Sequence, residues 1–186
     1  MLNKKQLRKK FFSIRKKKYF EIKPNFFKPL QKIIKKRVKK VLFNISLYYP
    51  SMYEVNVLKL FDTHLDKRLR FSLPVIKENN IMYFYSWKKN DLLQINQFGL
   101  LEPISFLKFK HKIPDLMLVP LLAYDKENYR LGYGGGFYDR YLNKFLKKHK
   151  NILTVGIAFS CQKHDKLPSS KEDVKLNYIL NEKGIF

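Results

Sequence analysis

The 186-residue chain has one cysteine, Cys161, two alanines, Ala123 and Ala158, and 15 acidic residues against 39 basic ones. A lone cysteine cannot close an internal bridge, which excludes a disulfide scaffold and fits a reducing cytosol. Long hydrophobic runs are also missing. The longest, Leu116–Tyr124, contains Pro120 and is about half of what a bilayer-spanning helix requires, which argues against a membrane protein. No apolar segment follows the opening lysines, so no secretory signal is expected and the location is expected to be cytoplasmic. Internal repeats and linkers are absent, and the length suits one domain over residues 1–186.

Present in quantity are lysines and aromatics. With 45% hydrophobic and 16% aromatic residues the chain can bury a core and is not a disordered tail. The charge is uneven: residues 1–40 hold 17 Lys+Arg and one acid, Glu21, for +16, leaving +8 for the other 146 residues. This arm reads either as a solvated face enriched by codon bias or as a funnel for anions. Neither zinc-finger spacing nor a ribonucleoprotein aromatic motif accompanies it.

Periodicity predicts a basic helix over 2–20 with Leu7, Phe11, Phe12 and Ile14 on its apolar side, and a second carrying Leu30, Ile33, Ile34 and Val38. Strands are predicted at 41–49, 70–76, 81–85, 115–120, 152–159 and 178–180, and helices at 56–67 and 137–148. Alternating strands and helices argue for an α/β fold: a parallel or mixed sheet covered on both faces.

The most informative stretch is RLGYGGGFYDR, Arg130–Arg140, which holds four of the seven glycines: Gly132, Gly134, Gly135 and Gly136. Glycines before a helix start expose backbone N–H groups to an anion, so the segment reads as a phosphate loop or as a tight structural turn. It is neither a Walker loop, lacking the terminal Gly-Lys-Ser/Thr, nor a dinucleotide fingerprint, having Phe137 where the last glycine belongs. Asp139 reads as a helix-start acid or as a magnesium ligand beside phosphates. Asp173, in SSKED, is open in the same way, since Ser169 and Glu172 match a capping box.

Arg130–Arg140 resembles the signature of the 5-formyltetrahydrofolate cyclo-ligase family. Five further segments are similar to that family in order and spacing: KKQLR at 4–8, YYPSMYEVNV at 48–57, LRFSLPV at 69–75, FGLLEP at 98–103 and VGIAFSCQKHDKLP at 155–168. The resemblance implies a single three-layer domain related to ribose-5-phosphate isomerase and the CoA transferases. It also implies ATP- and Mg²⁺-dependent closure of 5-formyltetrahydrofolate to 5,10-methenyltetrahydrofolate. Separately, a cytoplasmic monomer without specific nucleic-acid or membrane partners is expected.

By motif position, ATP would be held by Lys4, Lys5, Gln6, Leu7 and Arg8, and by Arg130, Leu131, Gly132, Tyr133, Gly134, Gly135, Gly136, Phe137 and Tyr138. The folate would meet Tyr49, Glu54, Tyr133, Gly134, Gly135, Gly136 and Phe137, with Phe98 either on the pterin ring or anchoring its loop. Asp139 and Asp173 would hold Mg²⁺, and the basic arm would attract a polyglutamate tail; no residue is assigned to proton transfer. The chain departs from the family at Asn56 and Val57, where an acid and a threonine are usual and reduced stability is expected, at Gly135, where many members carry lysine, and at Ser160-Cys161. Competing readings are a lysine-rich nucleic-acid-binding protein and a catalytically degenerate member.

Overall fold

The structure, a computed structural model, describes residues 2–38, 42–104, 110–149 and 151–186. Its centre is a seven-stranded mixed sheet. The strands are β1 (Phe43–Ser46), β2 (Leu69–Lys77), β3 (Ile81–Ser86), β6 (Leu116–Pro120), β9 (Leu153–Ile157), β10 (Tyr178–Asn181) and β11 (Gly184–Ile185), in the order β11-β10-β9-β6-β1-β2-β3. The five inner strands run parallel, and β3 and β11 close the edges antiparallel.

The apolar run of β6 shows why the sheet is covered twice. Successive side chains point to opposite faces, so Leu116 and Leu118 join Phe27, Leu30 and Ile34 of the α2 layer, while Met117 and Val119 meet Tyr141, Leu142 and Phe145 of the α3 layer. Here α2 is Lys28–Arg37 and α3 is Phe137–Phe145. The result is three layers, helix–sheet–helix, as parallel strands require.

Helix α1 (Lys4–Lys17) packs apart from these layers, through Leu7 and Phe11 against Leu122, Ala123, Leu131 and Leu167. Its inner side differs from the predicted stripe. Phe12 and Ile14 are only partly buried, and the third fully buried residue is Arg15. The solvated-face reading therefore fails for that arginine. Two short hairpins, β4–β5 (Leu93–Ile95, Leu101–Pro103) and β7–β8 (Ala123–Tyr124, Arg130–Leu131), went unforeseen because each is too brief for a periodic signal.

Two other expectations change. The helix predicted over 56–67 is a 3₁₀ segment, Val57–Asp62, and it stops where the Thr63 hydroxyl donates to the Leu60 carbonyl and competes with helix continuation. Asn56 caps it by accepting from the Leu58 N–H and Val57 is buried in the core, so both departures fill structural roles. No helix starts in SSKED: Asp173 instead folds back to accept from the Ser170 N–H and hydroxyl. Val41, the first residue of the strand predicted at 41–49, lies outside the described residues.

Candidate active site

The site lies beyond the carboxyl ends of the parallel strands, where open α/β sheets bind ligands. Helix α1 starts with a capping box: Asn3 and Gln6 exchange side-chain-to-backbone hydrogen bonds of 2.9 Å. Lys4, Arg8 and Arg15, four and seven residues apart, then project from one side of the helix. Lys4 Nζ lies 2.6 Å from Asp173 Oδ2, and Arg8 Nε donates to the Gly132 carbonyl at 2.9 Å. Two long-range contacts thus pin the helix to the glycine loop and to the 170–173 turn.

Loop and helix α3 meet at Gly136, whose φ of 65° and ψ of 12° are left-handed; Gly134 has φ 111°. A side chain at either position would cost about 1–2 kcal/mol. Asp139, in the first turn of α3, accepts from Arg130 Nη2 at 2.8 Å and from the Val174 N–H at 3.0 Å. Arg130 also donates to the Val174 carbonyl at 3.0 Å. Burial pushes the Arg130 guanidinium below its ordinary pKa, and the Asp139 charge beside it pulls the other way. Burial pushes Asp173 up, but the Lys4 ammonium and the two Ser170 bonds more than reverse this, leaving it below the usual carboxylate range.

Two cavities meet along this loop. The first, about 550 Å³, is charged: Lys4, Arg8, Arg130, Arg140, Asp139 and Asp173 line it with Gly132, Gly134 and Gly136. The second, about 440 Å³, is largely apolar and aromatic, bounded by Tyr48, Tyr49, Pro74, Met82, Phe98, Leu100, Phe137 and Tyr138, with Glu54 and Tyr133 as its main polar groups. Arg130, Gly132, Gly136 and Asp139 border both. The loop is the shared wall.

Glu54 is only 7% exposed. It accepts from the Tyr133 hydroxyl on Oε1 and from the Ser51 N–H on Oε2, the latter at 2.9 Å. Burial pushes its carboxyl up, while Tyr133, Ser51 and the Arg15 charge draw it back down. Burial also raises the phenols of Tyr133 and Tyr138. Glu54 is not a helix-start acid, because it ends an irregular turn whose residues Met52 and Tyr53 are both left-handed, at φ 47° and 65°. Phe98 stands edge-on to Phe137 at 5.4 Å, held by a loop in which Asn96 accepts from the Phe98 and Leu100 N–H groups.

Most motif positions converge here. Lys4, Arg8, Arg130, Leu131 and Asp139 border the charged cavity, while Tyr49, Glu54, Tyr133, Gly135, Phe137 and Tyr138 border the apolar one. Leu7 instead points into the core, Gln6 serves the helix cap, and Lys5 is exposed and borders neither cavity. Sequence reasoning missed Arg140 and Ser170 in the charged cavity, Tyr48 and Met82 in the apolar one, and Arg15 behind both. The signal for Arg15 was its seven-residue spacing from Arg8, masked by the surrounding lysines.

Asp139 and Asp173 are hard oxygen donors in the same cavity, which Glu172 also borders, and among the described residues no group of three or more acidic, histidine or cysteine side chains is placed to hold a metal ion. Two carboxylates without further protein ligands suit Mg²⁺, which keeps waters and shares phosphate oxygens. A charged cavity bordered by a glycine loop at a helix start, opening onto an aromatic one with a buried carboxylate, can bring a polyphosphate to a flat ring rich in hydrogen-bond donors.

Among solved structures, the chain is similar to a 5,10-methenyltetrahydrofolate synthetase from Aquifex aeolicus (30% identity, TM-score 0.72, covering 98% of this chain and 91% of that one). It is also similar to one from Mycoplasma pneumoniae (26% identity, TM-score 0.65, covering 97% and 99%). The 5-formyltetrahydrofolate cyclo-ligase of Haemophilus influenzae is 34% identical over 143 residues, 74% of each chain. Residues 1–182 match the profile of a family described by the same activity. Sequence, fold and profile agree along nearly the whole length, and the chain belongs to the 5-formyltetrahydrofolate cyclo-ligase family.

Proposed function

We propose that the protein converts 5-formyltetrahydrofolate and ATP to 5,10-methenyltetrahydrofolate, ADP and phosphate. The observation that carries this reading is the glycine loop bordering a charged cavity on one side and an aromatic one on the other. A formyl oxygen is a poor leaving group. Its attack on the γ-phosphorus, with departure of ADP, turns it into a phosphate ester. N10 then attacks the formyl carbon, the C–O bond breaks, phosphate leaves and the N10 proton is released.

Lys4, Arg8 and the N–H groups of residues 132–136 bind and orient the triphosphate, and Arg130 and Arg140 balance its charge. Asp139 and Asp173 would hold Mg²⁺, which supplies neutralisation of the phosphate oxygens when bound. Glu54 accepts hydrogen bonds from the pterin nitrogens, while Tyr49, Phe98 and Phe137 enclose the ring and exclude water from the activated formyl group. Catalysis is therefore mainly positioning.

The test is the near-ultraviolet absorbance of methenyltetrahydrofolate after mixing protein, 5-formyltetrahydrofolate and Mg²⁺, with and without ATP. A rise that requires ATP is expected. No rise from a folded protein that still binds ATP would mark a degenerate site and overturn the proposal.

A further inference from the structure

We propose that Arg15 is a positioning residue that holds Glu54 ionised and aimed into the aromatic cavity, acting through the hydroxyl of Tyr133. The proposal rests on the reading of that cavity as the folate site. Arg15 is a cation in an unusual place, 1% exposed. Among the described residues no carboxylate lies within ion-pair distance of it, and its Nε has no hydrogen-bond partner. Taking a guanidinium out of water is costly unless acceptors or a counter-charge compensate.

Its contacts are directed. Nη1 donates to the Leu121 carbonyl at 3.1 Å and to the Tyr133 hydroxyl at 2.7 Å, and Nη2 donates to the Met52 carbonyl at 2.7 Å. The Tyr133 hydroxyl in turn donates to Glu54 Oε1. Two buried opposite charges are thus bridged by one phenol. The third bond grips the left-handed Met52-Tyr53 turn that delivers Glu54. Arg15 therefore fixes both the carboxylate's partner and the backbone beneath it. Besides the Ser51 N–H, the titratable and charged groups around Glu54 are Tyr48, Tyr133, Tyr138 and Arg15. The three phenols stay neutral across the physiological range, which leaves Arg15 as the charge that opposes protonation of Glu54.

The experiment uses the full-length protein and four variants: Arg15→Gln, Arg15→Lys, Tyr133→Phe and the double Arg15→Gln/Tyr133→Phe. Dissociation constants for 5-formyltetrahydrofolate and for ATP are measured separately by calorimetry from pH 5 to 8, beside melting temperature. Arg15→Gln and Tyr133→Phe should each weaken folate binding about tenfold, the scale of one hydrogen bond to a charge, with ATP binding within about twofold. The double variant should lose little more than the worse single one. The acid limb of folate binding should move to higher pH in Arg15→Gln and Tyr133→Phe, and less in Arg15→Lys, which keeps the charge.

Additive losses, an unmoved acid limb, or equal losses for ATP and folate would overturn the proposal. If Arg15→Gln does not fold, the limb in Tyr133→Phe and the partial rescue by Arg15→Lys decide it. A wild-type protein that makes no methenyl product would sink the underlying function as well. Normal wild-type turnover with unresponsive variants would sink the relay alone.

Discussion

The two halves of the site are built in opposite ways. The charged cavity draws on three short segments: two residues one helical turn apart on α1, the glycine loop running into α3 with Asp139, and the 170–173 turn. The aromatic cavity is assembled from at least five segments, around residues 48–54, 74–82, 96–101, 120 and 130–139. Phosphate can be held by backbone groups that any short motif can present. A flat ring needs walls on several sides, and those come from wherever the fold places them.

The division predicts that substitutions on one side of the loop spare binding on the other. Asp139→Asn should have the largest effect, lowering turnover by about 10²-fold or more while folate binding survives. It should also lower the melting temperature, because Arg130 loses its counter-charge in a buried setting at a cost of about 3 kcal/mol or more. Absorbance kinetics and thermal melts read the two effects separately.

Glu54→Gln should come next, weakening folate about tenfold with ATP affinity unchanged. In the wild type, folate binding should fall on the acid side at a pH above the ordinary carboxylate range, because burial pushes Glu54 up and protonation discharges it. The variant should lose that pH dependence.

Phe98→Ala removes an edge-on aromatic contact with Phe137 worth about 1 kcal/mol. It should raise the KM for folate several-fold and leave the KM for ATP alone. Lys4→Ala should reverse the selectivity, raising the KM for ATP in a salt-dependent way with the smallest effect on stability. Its pair with Asp173 is partly exposed, so it contributes less than about 1 kcal/mol. Asp173 is held below its unfolded value, so that contribution is present above about pH 4 and fades as pH falls through the folded value. An acid titration of wild type and variant checks this.

The same division governed what could be read before the fold was known. Sheet class, α3 and the 130–140 loop were legible because β6 is apolar on both faces and four glycines precede one amphipathic helix. Glu54 and Tyr49 were reached only through family resemblance, since an acid in an irregular turn has no periodic signature. Met82 and Tyr48 were invisible because strand residues facing a cavity look like strand residues facing a core. Arg15 was hidden by composition: among so many lysines, one buried cation does not stand out.

The contact between Lys4 and Asp173 joins residues 169 positions apart, and Arg8 reaches 124 positions to Gly132. Helix α1 is made before the glycine loop and finds its partners only after the loop and then the 170–173 turn have emerged. Its inner face, with Leu7, Phe11 and Arg15, spends most of synthesis without the groups that will cover it. Loop closures of this span are slow to form. Closure of the charged cavity thus waits on the 170–173 turn, and a nascent chain halted before residue 173 would lack the Lys4 contact even with every strand up to β9 in place.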